Sequence, residues 1–117
     1  MKNILGPIKK ELTEKGYIEK DLLVWARRKI TTFNPTFIFF GIKDGKLMII
    51  PFKDIKTVHY DQIKSYGKDT VAKISYGGFT SIFKIHFRNG DVERYAIFGT
   101  DNGKEIAHEI VAAFNSG

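Results

Sequence analysis

No cysteine occurs in the chain of 117 residues, so a disulfide framework and a thiolate zinc site are excluded. Its absence fits a reducing cytosol, and a cytoplasmic location is expected. Long apolar runs are missing too. The most hydrophobic stretch, residues 37–52, contains Lys43, Asp44 and Lys46 and is too short to cross a bilayer. The opening MKNILGPIKKELTEKG is broken by Gly6, Pro7 and charges, unlike a secretory signal.

Signatures of catalysis are scarce. His59, His86 and His108 form no H-x-x-x-H or H-E-x-x-H pair, and His59-Tyr60-Asp61 offers at most two metal ligands. Gly77-Gly78 precedes neither Lys-Ser/Thr nor a helix, so it is no phosphate loop. None of Ser65, Ser75, Ser81 and Ser116 stands in a G-x-S-x-G elbow. Asp44, Asp54 and Asp91 read as turn or strand-end residues. The expectation is a protein that is not an enzyme, with no cofactor, no metal and no small-molecule substrate.

What the chain does have is strand-forming bulk. Ten Phe and five Tyr favour sheet over a helical bundle, and 43% hydrophobic residues suffice for one packed core. A single domain over 1–117 is expected, with residues 1–20 as a helical extension and 21–117 as the β-rich body. In the extension, Ile4, Leu5, Ile8 and Leu12 have helical spacing, Pro7 suits the first turn and Gly16 the stop. That helix reads as a lid packed on the core. The stretch EKDLLVWARRKITTF follows as a strand, on the strength of Val24, Trp25, Ile30, Thr31 and Thr32, and Asn34-Pro35 ends it.

Three turn signals come next. Asp44-Gly45 joins TFIFFGIK to KLMIIPF, Gly77-Gly78 joins VAKISY to FTSIFKIHFR, and Asn89-Gly90 joins IFKIHFR to DVERYAIF. Between the first two lies DIKTVHYDQIKSYGKD, read as one strand and a loop near 65–69. Pro51 belongs at a strand end or edge. In IFKIHFR, Phe83, Ile85 and Phe87 take one face while Lys84, His86 and Arg88 take the other, so one face is buried and one is wet. The period then changes. Ile106, Ala107, Ile110, Val111 and Phe114 mark a helix over about 102–114, with Asn102 and Glu105 at capping-box spacing. About seven antiparallel strands closed by one helix make an α+β layout.

The run FIFFGIKDGKLMIIPFKDI resembles the bacterial pleckstrin-homology-like (PH-like) family. Gly41, Ile42, Lys43, Asp44, Lys46, Leu47, Ile50, Pro51, Phe52, Asp54 and Ile55 stand at the positions of its early hairpin. FKIHFRNGDVERYAIF is similar to its late hairpin and EIAHEIVAAF to its closing helix. The resemblance implies seven strands in two nearly orthogonal sheets, a β-sandwich or open barrel with the C-terminal helix plugging one end. It also implies a domain that binds lipids, peptides or other copies and catalyses nothing. Lipid-binding eukaryotic members grip inositol phosphates with basic residues around the first loop. Here that loop, ITTFNPT, has none, although Arg27, Arg28 and Lys29 precede it.

The charge is +6, and residues 1–30 hold eight basic side chains against four acidic ones. Two functions are therefore expected of this chain. The first is an interaction module acting through protein contact or self-association, because a strand-rich domain that leaves an edge free can pair with another chain. The alternative is peripheral binding of an anionic surface or polymer, acidic lipid headgroups or (less favoured) nucleic acid. Its candidate residues are Arg27, Arg28, Lys29, Lys84, His86 and Arg88. FIFF is apolar on both faces, which requires cover on both sides, from a helix or from a partner.

Overall fold

A computed structural model describes residues 5–28, 37–54, 57–77 and 81–116; Lys29, the loop ITTFNPT and Gly78 lie outside them. Helix α1 (Gly6–Glu14) comes first, followed by strands β1 (Leu23–Arg28), β2 (Phe37–Lys43), β3 (Lys46–Asp54), β4 (Thr57–Val58), β5 (Lys64–Tyr66), β6 (Val71–Gly77), β7 (Ile82–Phe87) and β8 (Val92–Ile97), and helix α2 (Gly103–Ser116). The pairings are antiparallel, in the order β4-β3-β2-β1-β8-β7-β6, with β5 on β3. Among the described residues the sheet does not close on itself. This is an α+β open barrel of eight strands, one more than expected. DIKTVHYDQIKSYGKD supplies two short strands, β4 and β5, separated by a 3-10 turn at Tyr60–Gln62.

Alternation sorts the side chains into two cores. Inside the curve, Val24, Ala26, Phe40, Ile42, Leu47, Ile74, Phe83, Ile85 and Tyr95 meet Ala107, Ile110 and Phe114 of α2. Outside it, Leu23, Phe39, Met48 and Ile50 of β1–β3 meet Ile8 and Leu12 of α1 and Leu5 just before it. The two-faced FIFF strand is thus covered by a helix on each side, with Phe40 stacked on Phe83 inside and Phe39 on Phe52 outside. Burial of such side chains is worth about 1.5–3 kcal/mol each.

Turn chemistry sets the register. Asp44 (φ 53°) and Gly45 (φ 75°) are both left-handed, as a two-residue type I′ turn requires, and Lys43 pairs with Lys46. At the late hairpin, Gly90 N–H bonds to Phe87 C=O and Phe87 N–H to Asp91 C=O, so the loop has three residues with Gly90 (φ 99°) in the left-handed position. The C=O of Pro51 takes the N–H of His59, so the edge it presents lies between the β5 and β4 pairings, where its missing N–H breaks no ladder.

Helix α1 ends in a Schellman motif. Tyr17 N–H bonds to Leu12 C=O and Gly16 N–H to Thr13 C=O, with Gly16 at φ 81°. Its start has no cap of its own; the Asp101 carboxylate accepts the Leu5 N–H at 2.6 Å. Asp101 (φ 54°) and Asn102 (φ 60°) are left-handed within a 3-10 turn at Thr100–Asn102. A capping box needs an extended N-cap residue, so the expected Asn102–Glu105 box is replaced by this turn, and α2 begins at Gly103.

Candidate anion-binding face

Among the described residues, no helix lies on the outer surface of β6, β7 and β8. Cross-strand partners share a face, so register decides what meets there. Arg94 on β8 lies opposite Lys84 on β7, which lies opposite Ser75 on β6. One step along, Val92, His86 and Lys73 form the next row. Lys73 reaches that row because a bulge at Ala72 offsets β6, leaving Val71 and Ile74 inward. Three cations and a histidine therefore share a patch two strand spacings wide, about 10 Å. No carboxylate among the described residues pairs with Lys73, Lys84 or Arg94.

Electrostatics at His86 follow from this placement. Partial desolvation lowers its pKa, and Lys73, Lys84 and Arg94 lower it further. The Ser75 hydroxyl sits 3.3 Å from its Nε2. Two cations directly opposite each other, Arg94 and Lys84, cost the sheet stability.

The other expected residues scatter. Arg27 points outward beside Ala96, on the same surface as the patch. Arg28 points inward, where its Nη2 donates to Glu93 Oε2 at 3.2 Å. The Arg27-Arg28-Lys29 run is thus split by the pleat, and Lys29 lies outside the described residues. Arg88 falls in the β7–β8 loop and its Nε donates to the Lys68 C=O, away from Lys84 and His86. Lys73 and Arg94 escaped the sequence reading. Alternation in DVERYAIF could have placed Arg94, whereas Lys73 depended on the bulge.

At one mouth of the barrel, Arg28, Glu93 and Tyr95 border a cavity of about 340 Å³ floored by Ile38, Ile49 and Pro51. The Tyr95 hydroxyl donates to Glu93 Oε1 at 2.9 Å, and burial, reinforced by the Glu93 charge, pushes the phenol well above its usual pKa. Tyr95 is therefore a hydrogen-bond donor there, and Glu93 is neutralised by Arg28. The histidines stay apart: His108 packs edge-on against Tyr76, 4.9 Å between centroids, and His59 precedes the 3-10 turn. Among the described residues no three His, Cys, Asp or Glu side chains gather to hold a metal. No helix among them is long and apolar enough to cross a membrane.

The sheet ends in the short strands β4 and β5 on one side and in β6 on the other. The free side of β3 pairs with β4 and β5. On β6, the Asn115 side chain of α2 takes the Ile74 N–H at 3.1 Å and gives a hydrogen bond to the Ile74 C=O at 2.8 Å, as a neighbouring strand would. Comparison with protein-family models, with curated proteins and with solved structures finds no match to this chain.

Proposed function

We propose that the chain is a non-catalytic interaction module of PH-like fold that docks on an anionic partner through the outer face of β6–β8. One observation carries this reading. Lys73, Lys84 and Arg94 stand together at a cost to the sheet, with no compensating carboxylate and no covering helix among the described residues. An exposed sheet face of this kind suits an extended surface or polymer better than a small molecule, which favours an enclosed pocket.

The test is a binding series against phosphatidylglycerol vesicles, phosphatidylcholine vesicles and a single-stranded oligonucleotide at low and moderate salt. Anionic probes should bind and the neutral vesicle should not. On the oligonucleotide, neutralising three phosphates gives a slope of log K against log salt near −2. Binding insensitive to salt, or no binding to either anion at low salt, refutes the reading.

Contact with another protein or a second copy is the other reading, favoured by a half-buried aromatic group on the outer face. Trp25 lies 4.9 Å from Phe98, 6.1 Å from Phe52 and 6.4 Å from Phe37, ring centre to ring centre. Its Nε1 is buried with no partner among the described residues. Such contact would run through this face, since the edge strands β4 and β5 are only two and three residues long and Asn115 caps Ile74 at the β6 edge. A monomer by light scattering across the micromolar range would count against self-association.

A further inference from the structure

The placement of His86 reaches beyond charge alone. It is the one titratable group near neutrality in the patch, and cations face it from each strand packed against it: Lys73 on β6, Lys84 on its own β7 and Arg94 on β8. Ser75 on β6 adds a hydroxyl at 3.3 Å. Arg88, next on that side of the chain, is turned to the Lys68 carbonyl. Without a ligand the three cations oppose a fourth positive charge, so the ring stays neutral as pH falls below its ordinary titration range. A dianionic oxygen group seated among them offsets most of that field and accepts a hydrogen bond from the charged ring.

We infer that Lys73, Lys84, His86 and Arg94 form one proton-linked oxyanion site, in which an arriving phosphate-class group draws a proton from solvent onto His86. The inference rests on the anion-binding reading above and adds its regulation: affinity rises as pH falls. The bound group gains a charged N–H donor, and Ser75 can accept from or donate to the ring as the tautomer changes. Phosphodiesters of lipid headgroups and of nucleic acids offer the same acceptor oxygens with one negative charge per phosphate, so they should raise the His86 midpoint in the same direction but by less than a dianion does.

Sulfate is the probe, because it stays dianionic while histidine titrates. The three histidine ring signals are followed by NMR against pH, with His86→Gln assigning one of them. Sulfate, against chloride at equal ionic strength, should raise the His86 midpoint by about one pH unit. Linkage then makes sulfate bind about tenfold tighter below that midpoint than above it, and His86→Gln should abolish this dependence. In the ligand-free protein, Lys73→Gln should raise the His86 midpoint; no change would show that Lys73 does not act on the ring.

Sulfate binding with an unmoved midpoint overturns the proton linkage and leaves the anionic face standing. No sulfate binding overturns the discrete site, and if vesicles and oligonucleotide also fail, the functional reading falls with it. Repeating the pH series with phosphatidylglycerol vesicles and with the oligonucleotide shows which source of the group the site takes.

Discussion

Replacing Gly41 by alanine should loosen the attachment of α1 rather than the hairpin in which Gly41 sits. A Cβ built there would stand 2.5 Å from Ile18 Cγ2, 3.4 Å from Ile18 Cβ and 3.1 Å from the Leu22 carbonyl. Gly41 is not among the glycines at positive φ, so the demand is for space and not for a special backbone. The obstructing methyl is on a β-branched carbon, close to its own backbone, and Ile18 is 1% exposed, so it cannot simply swing away. Overpacking of this kind costs about 1–3 kcal/mol, and alanine returns about 0.5–1 kcal/mol over glycine in a strand. The net loss is about 1–2 kcal/mol, or about 4 °C in Tm for each kcal/mol at this size. Urea and thermal unfolding measure it. Ile18→Ala alone should cost about 2–5 kcal/mol, but in the double mutant the two losses should sum to less than their parts, because the clashing methyl is gone. A neutral or stabilising Gly41→Ala, or strict additivity with Ile18→Ala, would refute the close-approach argument.

Three other outcomes follow from the sheet and its helix. Lys84→Glu converts the Arg94–Lys84 opposition into an opposite-charge pair, so unfolding should show a gain of about 0.2–1 kcal/mol while binding to anionic vesicles falls. His86 has a folded pKa below its unfolded value, so the unfolded state takes up the proton first as pH drops. Stability should therefore fall as pH goes below the usual histidine value toward the lowered one, and His86→Gln should flatten that part of a denaturation–pH profile. Asn115→Ala removes both bonds to Ile74, costing about 1–2 kcal/mol, and bares that point of the β6 edge, so light scattering should detect more concentration-dependent association than the parent shows.

Much of this architecture is legible in the chain because local chemistry and global fold agree. Asp44-Gly45 can adopt the I′ turn cheaply, Gly16 ends α1, and the IFKIHFR alternation places Phe83 and Ile85 inward. Functional grouping is harder to read. Arg27 and Arg28 are adjacent in sequence yet lie on opposite faces, while Lys73, Lys84 and Arg94 are spread over 22 positions and meet only through register. The bulge at Ala72 has no distinctive residue to announce it. Asn102 had the spacing of a cap, but the close approach of Gly103 to the Phe98 carbonyl, where a Cβ would sit at 2.1 Å, comes with a left-handed turn that spacing alone does not encode.

The bond from Leu5 to Asp101 bears on the order in which the molecule can assemble. Helix α1 precedes every strand in the chain, and its nine residues are too few to hold a helix alone in water. Its apolar floor exists only once β1–β3 have paired, and its N-terminal hydrogen bond waits for residue 101. The helix that precedes the sheet in sequence is thus completed after it, as the latch of a sheet already formed. Destabilising substitutions in α1 should accordingly speed unfolding while leaving the rate of refolding almost unchanged.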